Sequence, residues 1–172
     1  MSKAKLKKAL SELTKEGIIE VVAELYDARQ DAREYLEYWI DPDPDKAFEK
    51  VTSQIDKMFF YSTGKNRSKP GQNDLRRIVK DFSTLVFDAE KVALLHLHIA
   101  ECSAKWLQQK RSGRGQAEKA IRRNLQLAAE YIESAGLESL FEHRVNNIRQ
   151  TIDDIMSQPE RRSRWGWGRY FS

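Results

Sequence analysis

The sequence predicts an all-α protein of about seven helices packed as antiparallel neighbours, ending in a basic, aromatic C-terminal tail. Three observations predict it. Apolar residues recur at spacings of three and four along nearly the whole chain, as one face of an α-helix requires. No stretch alternates apolar and polar residues for long enough to make a half-buried strand. Proline, glycine and short polar residues fall mostly at the ends of the periodic segments, where helices start and stop.

Leu6, Leu10 and Leu13 place one apolar stripe on a first helix over 3–13. Thr14 is a capping residue for a second, longer helix, and Glu16 in its first turn favours the helix dipole. Ile18, Val22, Leu25, Ala32, Tyr35, Leu36 and Trp39 predict that this helix runs unbroken to about Trp39. Its other side is largely acidic: Glu20, Glu24, Asp27, Asp31, Glu34 and Glu37. Asp41-Pro42-Asp43-Pro44 ends it, and Asp43 before Pro44 is a start signal for a third helix over 44–60. That helix carries Ala47, Phe48, Val51, Ile55, Met58 and Phe59.

Residues 61–73 read as a loop with three cations. Asn73 is expected to cap a fourth helix over about 74–87, with Leu75, Ile78, Val79, Phe82, Leu85 and Val86 apolar. Asp88 either restarts or kinks the chain. A fifth helix over 89–110 uses Val92, Leu95, Ile99, Cys102 and Trp106, and residues 111–115 break it. A sixth, over about 116–135, uses Ala120, Ile121, Leu125, Ala128, Tyr131 and Ile132 and stops at Gly136. A seventh, over 138–157, uses Phe141, Val145, Ile148, Ile152, Ile155 and Met156, and Pro159 closes it.

At 172 residues the chain makes one helical domain, 1–157, with a tail, 158–172, expected to dock back on the helices. A single Cys excludes a disulfide scaffold and suits a reducing cytosol. No apolar run has signal-peptide or membrane-spanning length, so a cytoplasmic protein is expected. The net charge of +4 hides segregation. Residues 11–60 hold 6 basic and 13 acidic side chains, whereas 105–123 hold seven basic ones against Glu118. Such blocks suit sign-specific contacts, with a partner or within the fold.

The order Leu13-Thr14-Lys15-Glu16, Ile18-Ile19-Glu20, Leu25-Tyr26, Glu34-Tyr35-Leu36 and Asp41-Pro42 resembles a family of small bacterial helical proteins classed as a domain of unknown function. The resemblance lies mainly in residues 1–45. Gly17 departs from the family pattern, where a larger apolar residue is usual. The resemblance implies an all-helical intracellular bacterial protein and supplies no catalytic residue.

The search for chemistry predicts no enzyme and no cofactor. His96 and His98 lie on different sides of one helix and cannot hold a metal together. His98, Glu101 and Cys102 share a face and form the best metal or thiol set, but a zinc site wants a further ligand from His143 or a carboxylate elsewhere. The plainer expectation makes Cys102 a core residue and His98 a boundary one. Gly64-Lys65-Asn66 lacks the glycine and hydroxyl residue of a phosphate loop. No Gly-x-Ser-x-Gly occurs, and Asp41, Asp43 and Asp45 read as helix caps rather than calcium ligands.

Binding is better indicated. Lys65, Arg67, Lys69, Arg76 and Arg77 form one basic segment within 61–80. Arg114, Lys119, Arg122 and Arg123 form another within 111–123, at a helix N-terminus. The tail contributes Trp165, Trp167 and Arg169, with glycines permitting an extended chain that projects both indoles to one side. The leading expectation is a non-catalytic protein-interaction module that binds a protein partner or itself. The alternative is a nucleic-acid-binding protein that tracks phosphates with the two basic segments. A membrane partner is not expected.

Overall fold

In the computed structural model, residues 2–60, 70–110 and 114–157 are described, without the side chains of Lys110 and Arg114. The predicted sites Lys65, Arg67, Lys69, Trp165, Trp167 and Arg169, and the tail's docking, lie outside these residues. The described residues form eight α-helices and no strand, and they divide into two units, one ending at Asp43 and the other beginning at Pro44.

The first unit holds α1 (Lys3–Ser11), α2 (Lys15–Ala28) and α3 (Gln30–Ile40). Ser2 caps α1, and the Thr14 hydroxyl accepts from the Gly17 N–H at 3.1 Å to cap α2, as its position predicts. The helix expected to run unbroken from Thr14 to Trp39 is in fact two. Arg29 takes an extended conformation, φ −136° and ψ 116°, and α3 folds back beside α2. The contacts between the two helices supply the reason. Turning the backbone at Arg29 strips the Tyr26 carbonyl of its helical donor, and Arg33 Nε donates to that oxygen at 3.3 Å. The same guanidinium lies 4.8 Å from the centre of the Tyr26 ring. Tyr26 Oη in turn donates to Glu37 Oε1 at 2.8 Å, which pushes the phenol pKa up. A continuous helix would set Tyr26 and Glu37 about 16 Å apart along its axis, so these contacts need the turn at Arg29.

The second unit is built on α6 (Ala89–Lys110). The helices α4 (Pro44–Phe60), α5 (Gln72–Leu85), α7 (Arg114–Ala135) and α8 (Glu138–Ser157) all pack on it. Its sequence is apolar on every side, and it buries residues all round, from Val92 and Ala93 to Trp106 and Leu107. Around it, α4 contributes Val51, Ile55 and Phe59, α5 contributes Leu75, Ile78 and Phe82, and α8 contributes Phe141, Ile148, Ile152 and Ile155. Each set follows the three–four spacing of an amphipathic helix. Only three residues separate α6 from α7, and the two pack along their length, so they run antiparallel.

The ends of these helices follow local chemistry. The Asp88 carboxylate accepts from the N–H groups of Glu90 and Lys91, so Asp88 restarts the helix as the cap of α6. Gly136, at φ +65°, ends α7. Its N–H and that of Leu137 return to the carbonyls of Glu133 and Ile132, a Schellman closure. At α5 the cap is Gly71, and Asn73 lies inside the helix rather than capping it. Asp74 folds back over Gly71 and would lie 2.8 Å from a Cβ there, so the missing side chain makes room for it.

Candidate functional site

Asp56 on α4 meets His98 and Cys102 on α6. Residues 98 and 102 are one helical turn apart and project from one face, as their spacing predicts. Asp56 Oδ1 lies 2.9 Å from His98 Nε2 and 3.3 Å from Cys102 Sγ, and Sγ lies 3.6 Å from the same Nε2. Cys102 is a buried core residue and His98 a boundary one, as expected from the sequence. The Asp56 side chain is 41% exposed, and with Glu49, Thr52, Ser53 and Lys57 it lines an open groove along α4. Burial pushes the Cys102 thiol pKa up, and the hydrogen bond to Asp56 pushes it further.

This is not a nucleophile–base relay. In such a relay the imidazole stands between its partners and uses a different nitrogen for each. Here one nitrogen, Nε2, faces both the carboxylate and the thiol, and the thiol's hydrogen bond goes to the carboxylate. The raised thiol pKa also opposes formation of the thiolate that a cysteine nucleophile needs. What the geometry offers is three different ligand atoms facing one point.

Sequence reasoning missed Asp56 and placed Glu101 in the wrong company. Glu101 turns to α8, where Arg144 Nε and Nη2 donate to its two carboxylate oxygens at 2.6 and 2.9 Å. His143, the other ligand considered, is exposed on α8. The signal for Asp56 was faint. It flanks the Val51–Ile55–Phe59 stripe by one position, which puts a carboxylate beside the core of α4 without saying which helix it faces.

His96, also on α6, does other work. It is buried, stacks on Tyr131 at 6.0 Å, and its Nδ1 lies 2.9 Å from Asn124 Oδ1. The Asn124 amide nitrogen donates to the Ala120 carbonyl, so its oxygen is the acceptor and His96 Nδ1 carries a proton. Burial lowers the His96 pKa below 6.5; the Asn124 hydrogen bond and Glu130 oppose this, and Arg123 adds to it. The unfolded chain therefore binds the proton more readily than the folded one. The stability that His96 confers is complete above the unfolded pKa of about 6.5 and is lost as pH falls through the lower folded value. Urea unfolding between pH 7.5 and pH 5 should show wild type losing more stability than His96→Gln. Parallel losses would remove His96 as the cause.

The basic residues within the described structure sit on two helices. Arg76 and Arg77 are exposed on α5, and Lys119, Arg122 and Arg123 are exposed on α7. Each helix packs on α6. Arg122 is engaged, with Glu118 at 2.8 Å and Asp153 of α8 at 3.5 Å. Lys119 and Arg123 form no ion pair with another described residue.

The first unit presents a different surface. None of its helices buries a residue. Among the described residues eleven large hydrophobic ones are exposed; nine lie there, and the other two are Phe87 and Leu140. Val22 and Leu25 on α2 and Tyr35 and Trp39 on α3 belong to the stripe read from the sequence, with Trp39 71% exposed.

These features define an all-helical protein in which no helix among the described residues is long and apolar enough to cross a membrane. Residues 1–161 match a family of unknown function, DUF6155, and the chain belongs to that family. Its extent carries the resemblance seen in residues 1–45 nearly to the end of the chain. No curated protein and no solved structure matches it.

Proposed function

We propose that this protein is a helical protein-interaction module and that its first unit is the docking element, occupied by a second copy of itself. One observation carries the reading: three helices of 9, 14 and 11 residues that bury no side chain and expose eight large apolar ones, with Leu13 between α1 and α2 a ninth. Helices this short are marginal in water, and amphipathic packing normally stabilises them. Exposed apolar clusters of this kind mark interaction surfaces.

Charge favours a second copy as the occupant. Helix α1 carries Lys3, Lys5, Lys7 and Lys8 and no acid. Helices α2 and α3, with residue 29 between them, carry seven acids against Lys15, Arg29 and Arg33. One unit thus holds both signs on separate helices, so a two-fold pairing sets the basic helix of each copy against the acidic helices of the other. Two copies of α2 and α3 also make four helices that can bury their stripes together as a bundle.

Light scattering coupled to size exclusion should give twice the chain mass for wild type. Val22→Glu/Leu25→Glu, which changes only exposed positions, should give a monomer with unchanged helix content. A wild type that stays monomeric up to its solubility limit, or a double variant that stays dimeric, overturns the reading.

A further inference from the structure

We propose that Asp56, His98 and Cys102 form a binding site for a divalent metal ion of the zinc class, with three protein ligands and a fourth position open to solvent.

The ligand atoms carry the inference. Zinc takes sulfur at about 2.3 Å and nitrogen or oxygen at about 2.0–2.1 Å in a tetrahedron. Those bond lengths separate neighbouring ligand atoms by about 3.3–3.6 Å. The three separations here are 2.9, 3.3 and 3.6 Å. A sulfur–oxygen pair needs about 3.5 Å and a nitrogen–oxygen pair about 3.3 Å, so Asp56 must draw back from both Cys102 and His98 by a few tenths of an ångström. Hydrogen bonds from both partners draw the Asp56 carboxylate in, and an ion at the centre replaces them.

The scaffold suits a fixed site. His98 and Cys102 stand one turn apart on the most buried helix of the second unit, and Asp56 comes from a helix packed against it. Ligands on rigid packed helices hold their geometry better than ligands on loops. The donor set selects the metal. One thiolate, one imidazole and one carboxylate fit zinc or cobalt, while magnesium and calcium prefer sites built mainly of oxygen. The open side follows from exposure. Cys102 is buried, but Asp56 reaches the groove along α4, so a fourth ligand enters from there. Structural zinc sites close all four positions with protein, whereas three protein ligands leave one for water or another oxygen donor. The site therefore carries an exchangeable ligand, and small oxygen anions are the class that would take it.

The full chain, stripped with a chelator and titrated with cobalt(II), should take up one ion. It should show thiolate-to-cobalt charge transfer in the near ultraviolet together with the intense visible bands of tetrahedral cobalt. Zinc should displace both. Asp56→Asn and His98→Gln should each weaken zinc at least a hundredfold in competition with a chromophoric chelator, whereas His143→Gln should match wild type. Helical circular dichroism checks that each variant is folded. X-ray absorption of zinc-loaded wild type, which needs no variant, should show one sulfur among four ligands. Absence of the charge-transfer band, wild-type affinity in either ligand variant, or a zinc shell without sulfur overturns the proposal.

Discussion

Phe59→Ala is expected to cost about 3–5 kcal/mol, a large share of the roughly 5–15 kcal/mol that holds a typical domain together. Phe59 is 1% exposed and lies on the stripe with which α4 meets the core. Removing the ring forfeits its transfer from water and leaves a cavity, because α4 is held in place by Val51 and Ile55 on the same face. Phe60 is the control. Its ring centre lies 5.9 Å from that of Phe59, but its side chain is only half-buried, so Phe60→Ala should cost markedly less. Urea unfolding followed by helical circular dichroism measures both. The midpoint should fall for Phe59→Ala while the slope stays constant, since the surface exposed on unfolding is nearly the same. A loss below about 1 kcal/mol would show that α4 is not part of the cooperative core.

The same stripes show what was legible. The helices over 44–60, 89–110 and 138–157 appear at the bounds their punctuation predicts. Pro44 and Gly136 act through their own backbones, and Asp88 acts on N–H groups two and three residues away, so each signal is complete in the local sequence. The break at Arg29 is not local. No glycine or proline marks it, and the groups that stabilise it, Tyr26, Arg33 and Glu37, sit where a continuous amphipathic helix would also carry them. On α7 the Arg122–Glu118 pair is local, four residues apart, but the second partner of Arg122, Asp153 of α8, lies 31 residues away and is not. The candidate site divides in the same way. The interval between His98 and Cys102 is a property of one helix, while the choice of Asp56 over Glu101 depends on which neighbour each carboxylate faces.

Glu101→Ala tests that choice directly and should cost about 1–2 kcal/mol. Its carboxylate takes two hydrogen bonds from Arg144, so the pair joins α6 to α8 with a geometry that only a guanidinium supplies. The side chains are 28% and 34% exposed, so water reaches both. The loss therefore falls short of the roughly 3–5 kcal/mol of a fully buried pair, because an orphaned Arg144 can swing outward. Arg144→Lys keeps the charge but cannot bridge both oxygens, and should lose nearly as much as Arg144→Ala. In the double-mutant cycle of Glu101→Ala with Arg144→Ala, the two losses should fall short of adding by about 1 kcal/mol, since the second change breaks nothing that the first left intact. Strict additivity would mean that the pair contributes nothing to stability. The cobalt titration supplies the other half of the argument. Glu101 is spent on Arg144, so Glu101→Ala should bind cobalt with the wild-type spectrum, whereas Asp56→Asn should not. Two carboxylates from different helices thus lie near the His98–Cys102 face of α6, Glu101 on α6 itself and Asp56 on α4. Packing against α8 makes Glu101 a tie between helices, and packing of α4 on α6 leaves Asp56 to complete the proposed ligand set.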